Sequence, residues 1–331
     1  MTNSRAFMPS RRTFLRCSLL GLLTTPALSL LGCSKTEPLL RIASNVWPGY
    51  ELIYLARQLG YFDEREIRLT EVPSATVCIQ LLAAGSIEGA MLTLDEVLTA
   101  RAEGLDLRVI AVLDVSLGGD VLLARPDIDS LAQLKGKRIG VEQSAVGAVM
   151  LDAVLQKAEL VPTDIDAVYM TVNKHRDAYH KGEVDALITF EPVKTQLLQN
   201  DARLLFSSAE IPGRIIDVLA VLPAAIESNP SALTKLVGAH FKARRYFLDQ
   251  PGDASPLLAE RLQLAPADVP AAYTGLELPD LEQNRHYLQG AAPLLEKSAQ
   301  ELLRIMETAQ LLPGPVTLNR LTDGRFLQPG A

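Results

Sequence analysis

The chain predicts an α/β fold of two lobes joined at a hinge. Three observations carry that expectation. Short apolar runs alternate with amphipathic helical stretches from residue 39 to residue 200. Glycines at 60, 85 and 104 fall where the first three helical patterns stop, as helix C-terminal glycines do. A later apolar run, Asp217 to Leu222, follows a second alternating series and reads as a strand returning to the first lobe. Alternation of this kind implies mainly parallel sheets flanked by helices.

The elements follow in order. Leu39–Ser44 reads as a strand and Tyr50–Leu59 as an amphipathic helix. Ile67–Val72, Ala90–Leu92 and Leu107–Leu113 read as strands, with helices over Thr76–Ala84 and Asp95–Glu103 between them. The second series has strands at Arg138–Val141, Ala167–Met170 and Ala186–Thr189. Its helices are Val146–Ala158, Lys174–His180 and Pro192–Asn200. From Ser231 the pattern is largely helical and packs on lobe one, and the Pro/Gly-rich stretch from Pro313 reads as irregular. The boundaries are therefore a leader 1–32, a tether 33–38, lobe one from 39 to 124, lobe two from 125 to 216, and a return to lobe one from 217 to 331.

The net charge of −7 argues against nucleic acid and against electrostatic docking on anionic lipid. No GxxxxGK[ST] loop and no GxGxxG fingerprint is present, so the chain carries no nucleotide engine, and no cofactor is expected. His175, His180, His240 and His286 lack paired cysteines or a His-Glu motif, so no metal site is expected. Of the three cysteines, Cys17 and Cys33 lie at the start, and Cys78 sits in an apolar run as a small buried residue.

The first residues bear on location. Arg5, Arg11, Arg12 and Arg16 precede an apolar stretch, Cys17–Gly32, with no acidic residue through Gly32. The stretch is short for a spanning helix and has the layout of a cleaved signal. Ser10-Arg11-Arg12-Thr13-Phe14-Leu15-Arg16 resembles a twin-arginine export signal, and Leu30-Leu31-Gly32-Cys33 resembles a bacterial lipobox. Those resemblances imply cleavage before Cys33, lipid on its thiol, and a chain held at the extracytoplasmic side of a bacterial membrane.

Four strings recur in a known order. They are Gly60-Tyr61-Phe62-Asp63-Glu64, Leu82-Ala83-Ala84-Gly85-Ser86-Ile87-Glu88-Gly89-Ala90, Leu134-Lys135-Gly136-Lys137-Arg138-Ile139-Gly140-Val141, and Lys181-Gly182-Glu183-Val184-Asp185-Ala186 through Glu191-Pro192. Together they resemble the solute-binding proteins of nitrate, sulfonate, taurine and thiamine-precursor ABC importers. The resemblance implies a type II periplasmic-binding fold, no catalysis, a monomer, a small-molecule solute in the cleft, and permease and ATPase subunits as partners.

Candidate ligand residues cluster where strands end. Trp47 and Tyr50, after the first strand, offer flat faces to a cation or ring, or else pack and cap. Ser74 and Thr76 start the second helix, as Thr93 and Asp95 start the third; each either meets the ligand or caps its helix. Ser116 lies near the crossover, where the carboxylates of Asp114 and Asp120 either bind ligand or, as the favoured reading, brace the hinge. Gln143 and Ser144 open the first helix of lobe two, in a loop that often touches ligand in the resembling proteins or else serves only as a cap. Glu191 and Asp217 end or begin strands at the cleft, where a carboxylate takes an ammonium or complements a helix dipole. His175 either lines lobe two or, as the favoured reading, stands at a solvent-exposed helix start.

The acidic and aromatic lean of Trp47, Tyr50, Asp95, Glu191 and Asp217 suits an amine, amidine or aminopyrimidine better than a sulfonate. The expected function is capture of a small nitrogen- or sulfur-containing solute for import. A ligand sensor feeding a signalling receptor is the alternative, and an enzyme of thiamine-precursor metabolism stands behind it.

Overall fold

The computed structural model describes residues 36–328. The expected export signal with Arg11 and Arg12, and the expected lipidation site Cys33, lie outside the described residues. The chain opens with β1 (Leu40–Ser44), α1 (Pro48–Gln58), β2 (Ile67–Glu71), α2 (Ala75–Ala83), β3 (Gly89–Thr93), α3 (Leu94–Ala102) and β4 (Arg108–Ser116). It then runs through β5 (Val121–Ala124), β6 (Arg138–Val141), α4 (Ala145–Ala158), β7 (Asp166–Tyr169), α5 (His175–Lys181), β8 (Ala186–Thr189), α6 (Val193–Leu198) and β9 (Arg203–Ser207). The return strand β10 (Ile216–Val221) leads into α7 (Pro223–Ser228), α8 (Pro230–Asp249), α9 (Pro251–Leu262) and α10 (Val269–Ala272). The short β11 (Leu276–Glu277), α11 (Leu281–Leu288) and α12 (Leu294–Thr308) follow.

Two sheets result, in the orders β11-β4-β10-β3-β1-β2 and β7-β6-β8-β5-β9. Each is mixed rather than mainly parallel. Strands β1, β2 and β3 are parallel, as are β6, β7 and β8. The return strand β10 is antiparallel to both neighbours, and β5 is antiparallel to β8 and β9. The run Val121–Ala124, expected in lobe one, pairs inside the second sheet.

Local chemistry sets these boundaries. Trp47 is extended, and Pro48 follows at the first position of α1, where its missing N–H costs nothing. Pro223, Pro230 and Pro251 open α7, α8 and α9 in the same way. Gly60, at φ +68°, supplies the left-handed residue after α1. The second sheet is apolar on both faces. Leu122 and Ile188 join one core, and Val121 and Leu187 the other, which explains runs without alternation.

The C-terminal helices pack on lobe one: α8 and α9 on α1, α12 on α3, and α11 on β4. The side-chain amide of Asn284 on α11 accepts from Val112 N–H at 2.7 Å and donates to its carbonyl at 3.0 Å. The irregular tail is pinned too, since Arg101 donates to the carbonyls of Thr317 and Asn319. Among the described residues, no helix is long and apolar enough to cross a membrane.

Candidate functional site

The carboxyl ends of β1, β3, β6 and β8 converge on one cavity, the place where open α/β sheets bind ligands. Asn45 and Trp47 reach it from the end of β1, and Tyr50 from α1. Thr93 and Glu96 come from the β3–α3 junction, and Asp120 from the link between β4 and β5. Lobe two supplies Glu142, Val146 and Phe190. Because β10 runs antiparallel to β3 and β4, its first residues lie beside their last. Asp217 is therefore in register with both Thr93 and Asp114.

The lobe-one half is held by acid–aromatic hydrogen bonds. The Trp47 indole N–H donates to Asp114 Oδ2 at 3.0 Å, and the Tyr50 hydroxyl donates to Asp217 Oδ1 at 2.5 Å. A side-chain carbon at Gly49 would overlap the Asp114 carboxylate, so glycine there lets the acid reach Trp47. Across the cleft, the Phe190 ring meets Trp47 edge to face, with centroids 5.7 Å apart. Thr76 Oγ1 donates to the Gln143 carbonyl, and the Gln196 amide donates to the Gln263 carbonyl, so the two lobes are clasped on either side.

The electrostatics are one-sided. Asp95, Glu96, Asp114, Asp120, Glu142, Glu191 and Asp217 are all buried, and among the described residues no Arg, Lys or His lines the cavity. Oxygens of Asp120, Glu142 and Asp217 in the cavity wall have no hydrogen-bond partner. Burial lifts the Asp120 carboxyl to about 6 and that of Glu142 to about 7. Burial, and then the neighbouring Asp114 charge, hold Asp217 well above the usual carboxylate range. Burial followed by the Asp95 charge does the same for Glu96. A cation in such a wall would favour the ionised carboxylates that burial disfavours.

The expected site residues divide into three groups. Trp47, Tyr50, Thr93 and Asp217 line the cavity. Thr76, Gln143 and Ser144 line the adjoining groove between the lobes. Ser74, Ser116 and Glu191 are engaged elsewhere, and Asp95 is buried with neither oxygen bonded. Ser74 caps α2 through Val77 N–H. Ser116 shares a hydrogen bond of 2.8 Å with Ser208, beside the crossover. Glu191 takes Lys194 at 3.1 Å and bonds to the Thr195 backbone and hydroxyl. His175 is not an exposed helix start: it is fully buried, its ring bonds to Thr189 Oγ1 at 3.1 Å, and burial lowers it to about 4. Glu96 and Glu142 were not among the expected site residues, and Asp120, weighed between ligand contact and hinge bracing, lines the cavity. Glu142 directly follows β6, and that strand-end position was the available signal.

Comparison with known proteins agrees with this architecture. A protein of Escherichia coli (strain K12), provisionally named an aliphatic sulfonates-binding protein, is 27% identical over 267 residues, 79% of this chain and 83% of that one. The alkanesulfonate-binding protein SsuA from Xanthomonas axonopodis pv. citri, solved bound to MOPS, superposes with a TM-score of 0.74 at 21% identity. That match covers 87% of this chain and 98% of SsuA. The desulfurization enzyme DSZB shares the fold at a TM-score of 0.61 and 18% identity, over 87% of this chain and 97% of the enzyme. The fold is thus that of the type II periplasmic binding proteins. The NMT1/THI5-like family model matches residues 47–254, which include every residue lining the cavity except Asn45, and the chain belongs to that family.

Proposed function

We propose that this chain is the extracytoplasmic solute-binding component of an ABC importer, and that its solute is a small amine-bearing cation. It captures the solute between the lobes and delivers it to a permease and ATPase, tethered by lipid on Cys33. The observation that carries the ligand class is the set of unpartnered, buried carboxylate oxygens of Asp120, Glu142 and Asp217 around the cavity. A sulfonate placed there would face four carboxyl groups, counting Glu96, with no arginine or lysine to answer it. This sets the chain apart from what the names of its sulfonate-binding relatives describe.

The binding mode follows from the two-lobed frame. Asp217, Tyr50 and Trp47 hold a cation on lobe one, and Glu142 and Phe190 close over it from lobe two. Contacts made only in the closed form shift the lobes toward closure. Cys78, the one cysteine among the described residues, offers the cavity no thiol nucleophile. It is fully buried and lines no part of the cavity, and burial pushes its thiol upward.

A thermal-shift comparison of the purified chain tests this reading. Amines, amidines and aminopyrimidines are set against ethanesulfonate and nitrate. A ligand at a hundred times its Kd adds about 2.7 kcal/mol. Stabilisation by an amine-bearing compound and not by ethanesulfonate is expected. Stabilisation by ethanesulfonate or nitrate alone would overturn the cation reading.

A further inference from the structure

The cavity among the carboxyl groups measures about 20 Å³, room for one water-sized group. An ammonium group is that size; a whole organic solute is not. Beside it runs a groove of about 750 Å³, open to solvent, and Glu96 and Glu142 line both spaces. One wall is α2 and α3 of lobe one, and the other is α4 of lobe two with the loop that follows it. Away from the shared acids its surface is largely apolar: Ile79 on α2, Leu151 and Leu155 on α4, then Leu160 and Val161. Val161 is 55% exposed, and Tyr169, also in the groove, is 58% exposed. Large apolar side chains lying open to water beside a binding cavity are what a second contact surface leaves uncovered when its ligand is away.

We propose that the groove is the other half of the binding site: it takes the apolar arm of a primary amine whose ammonium group enters the cavity between Glu96, Asp120, Glu142 and Asp217. The inference rests on the cation reading above and adds the shape of the solute. Continuity through Glu96 and Glu142 sets the order, charged head inside and carbon chain outside. The arm touches both lobes, because Ile79 and Leu151 belong to opposite walls. Each methylene in the groove therefore favours the closed form.

Calorimetric titration of the chain with n-alkylamines, from methylamine to octylamine, tests the proposal. Kd should fall about fourfold for each methylene that the groove covers, corresponding to ~0.8 kcal/mol. Val161→Ser and Tyr169→Ser should flatten that dependence and leave methylamine binding unchanged. Both side chains are more than half exposed, so neither change opens a core. A Kd independent of chain length, or a slope that both variants retain, overturns the groove assignment while the cation reading stands. Failure of every amine to bind removes the cation reading, and the groove assignment falls with it.

Discussion

Tyr50 and Asp217, 167 positions apart in sequence, share a buried hydrogen bond of 2.5 Å between the first turn of α1 and the first strand after lobe two. The bond orients the carboxylate toward the cavity and fixes the ring beside it. Tyr50→Phe leaves that carboxylate oxygen buried without its donor. Urea unfolding of the ligand-free variant should show a loss of about 1–3 kcal/mol. Unchanged stability would mean that the bond contributes nothing.

Glu142 makes stability depend on pH in a direction that follows from its raised carboxyl. The folded chain holds this proton more tightly than the unfolded chain does. Its contribution is therefore complete below pH 4.5 and is lost as pH rises through about 7. The shift corresponds to on the order of 3 kcal/mol. Glu142→Gln should melt like the parent at pH 4.5 and above it at pH 8, while binding amines more weakly. An equal offset at both pH values would contradict the assignment.

The contact between Trp47 and Phe190 holds the lobes together, and Trp47 is the chain's single tryptophan. Phe190→Leu removes an edge-to-face pair worth about 0.5–1.5 kcal/mol. Small-angle scattering of the ligand-free variant should give a larger radius of gyration, and Trp47 emission should shift to the red. If both signals match the parent, the pair plays no part in closure.

Arg261 on α9 binds the fully buried Glu51 of α1 at 2.6 and 3.0 Å and lies over the Tyr54 ring. Arg261→Met strands that carboxylate and should cost about 3–5 kcal/mol in urea unfolding. Adding Glu51→Gln should recover part of the loss. A double variant no better than the single one would show that packing, not charge, dominates here.

Cys33→Ser should move the protein from the membrane fraction to the soluble extract and remove the lipid mass from its amino terminus. Retention in the membrane fraction would refute a lipid anchor at this position.

Much of the fold was legible because apolar runs and glycine stops are local signals. The first strand and helix were read within two residues of their ends, and Arg138–Val141 and Ala186–Thr189 coincide with the observed strands. The misses are strands whose identity depends on distant partners. Val121–Ala124 is a strand because β8 and β9 flank it, and Leu276–Glu277 is two residues added to the edge at β4. The site was half legible for a similar reason. Trp47 and Tyr50 announce themselves as aromatics at a strand end. Glu96 reads as an ordinary first-turn acid that accepts Thr93 N–H at 2.9 Å. Only the convergence of four strand ends shows that it also faces a cavity.

The two segments that cross between the lobes leave from β4 and return at β10, which are neighbours in the first sheet. Asp114 and Asp217, and through their hydrogen bonds Trp47 and Tyr50, thus stay assembled however far lobe two swings. Under the proposed function, a solute would meet this prepared surface first, and Glu142 and Phe190 would arrive later. The arrival rate would then belong to lobe one and the residence time to lobe two. Substitutions at Tyr50 should act mainly on association, and substitutions at Glu142 or Phe190 on dissociation.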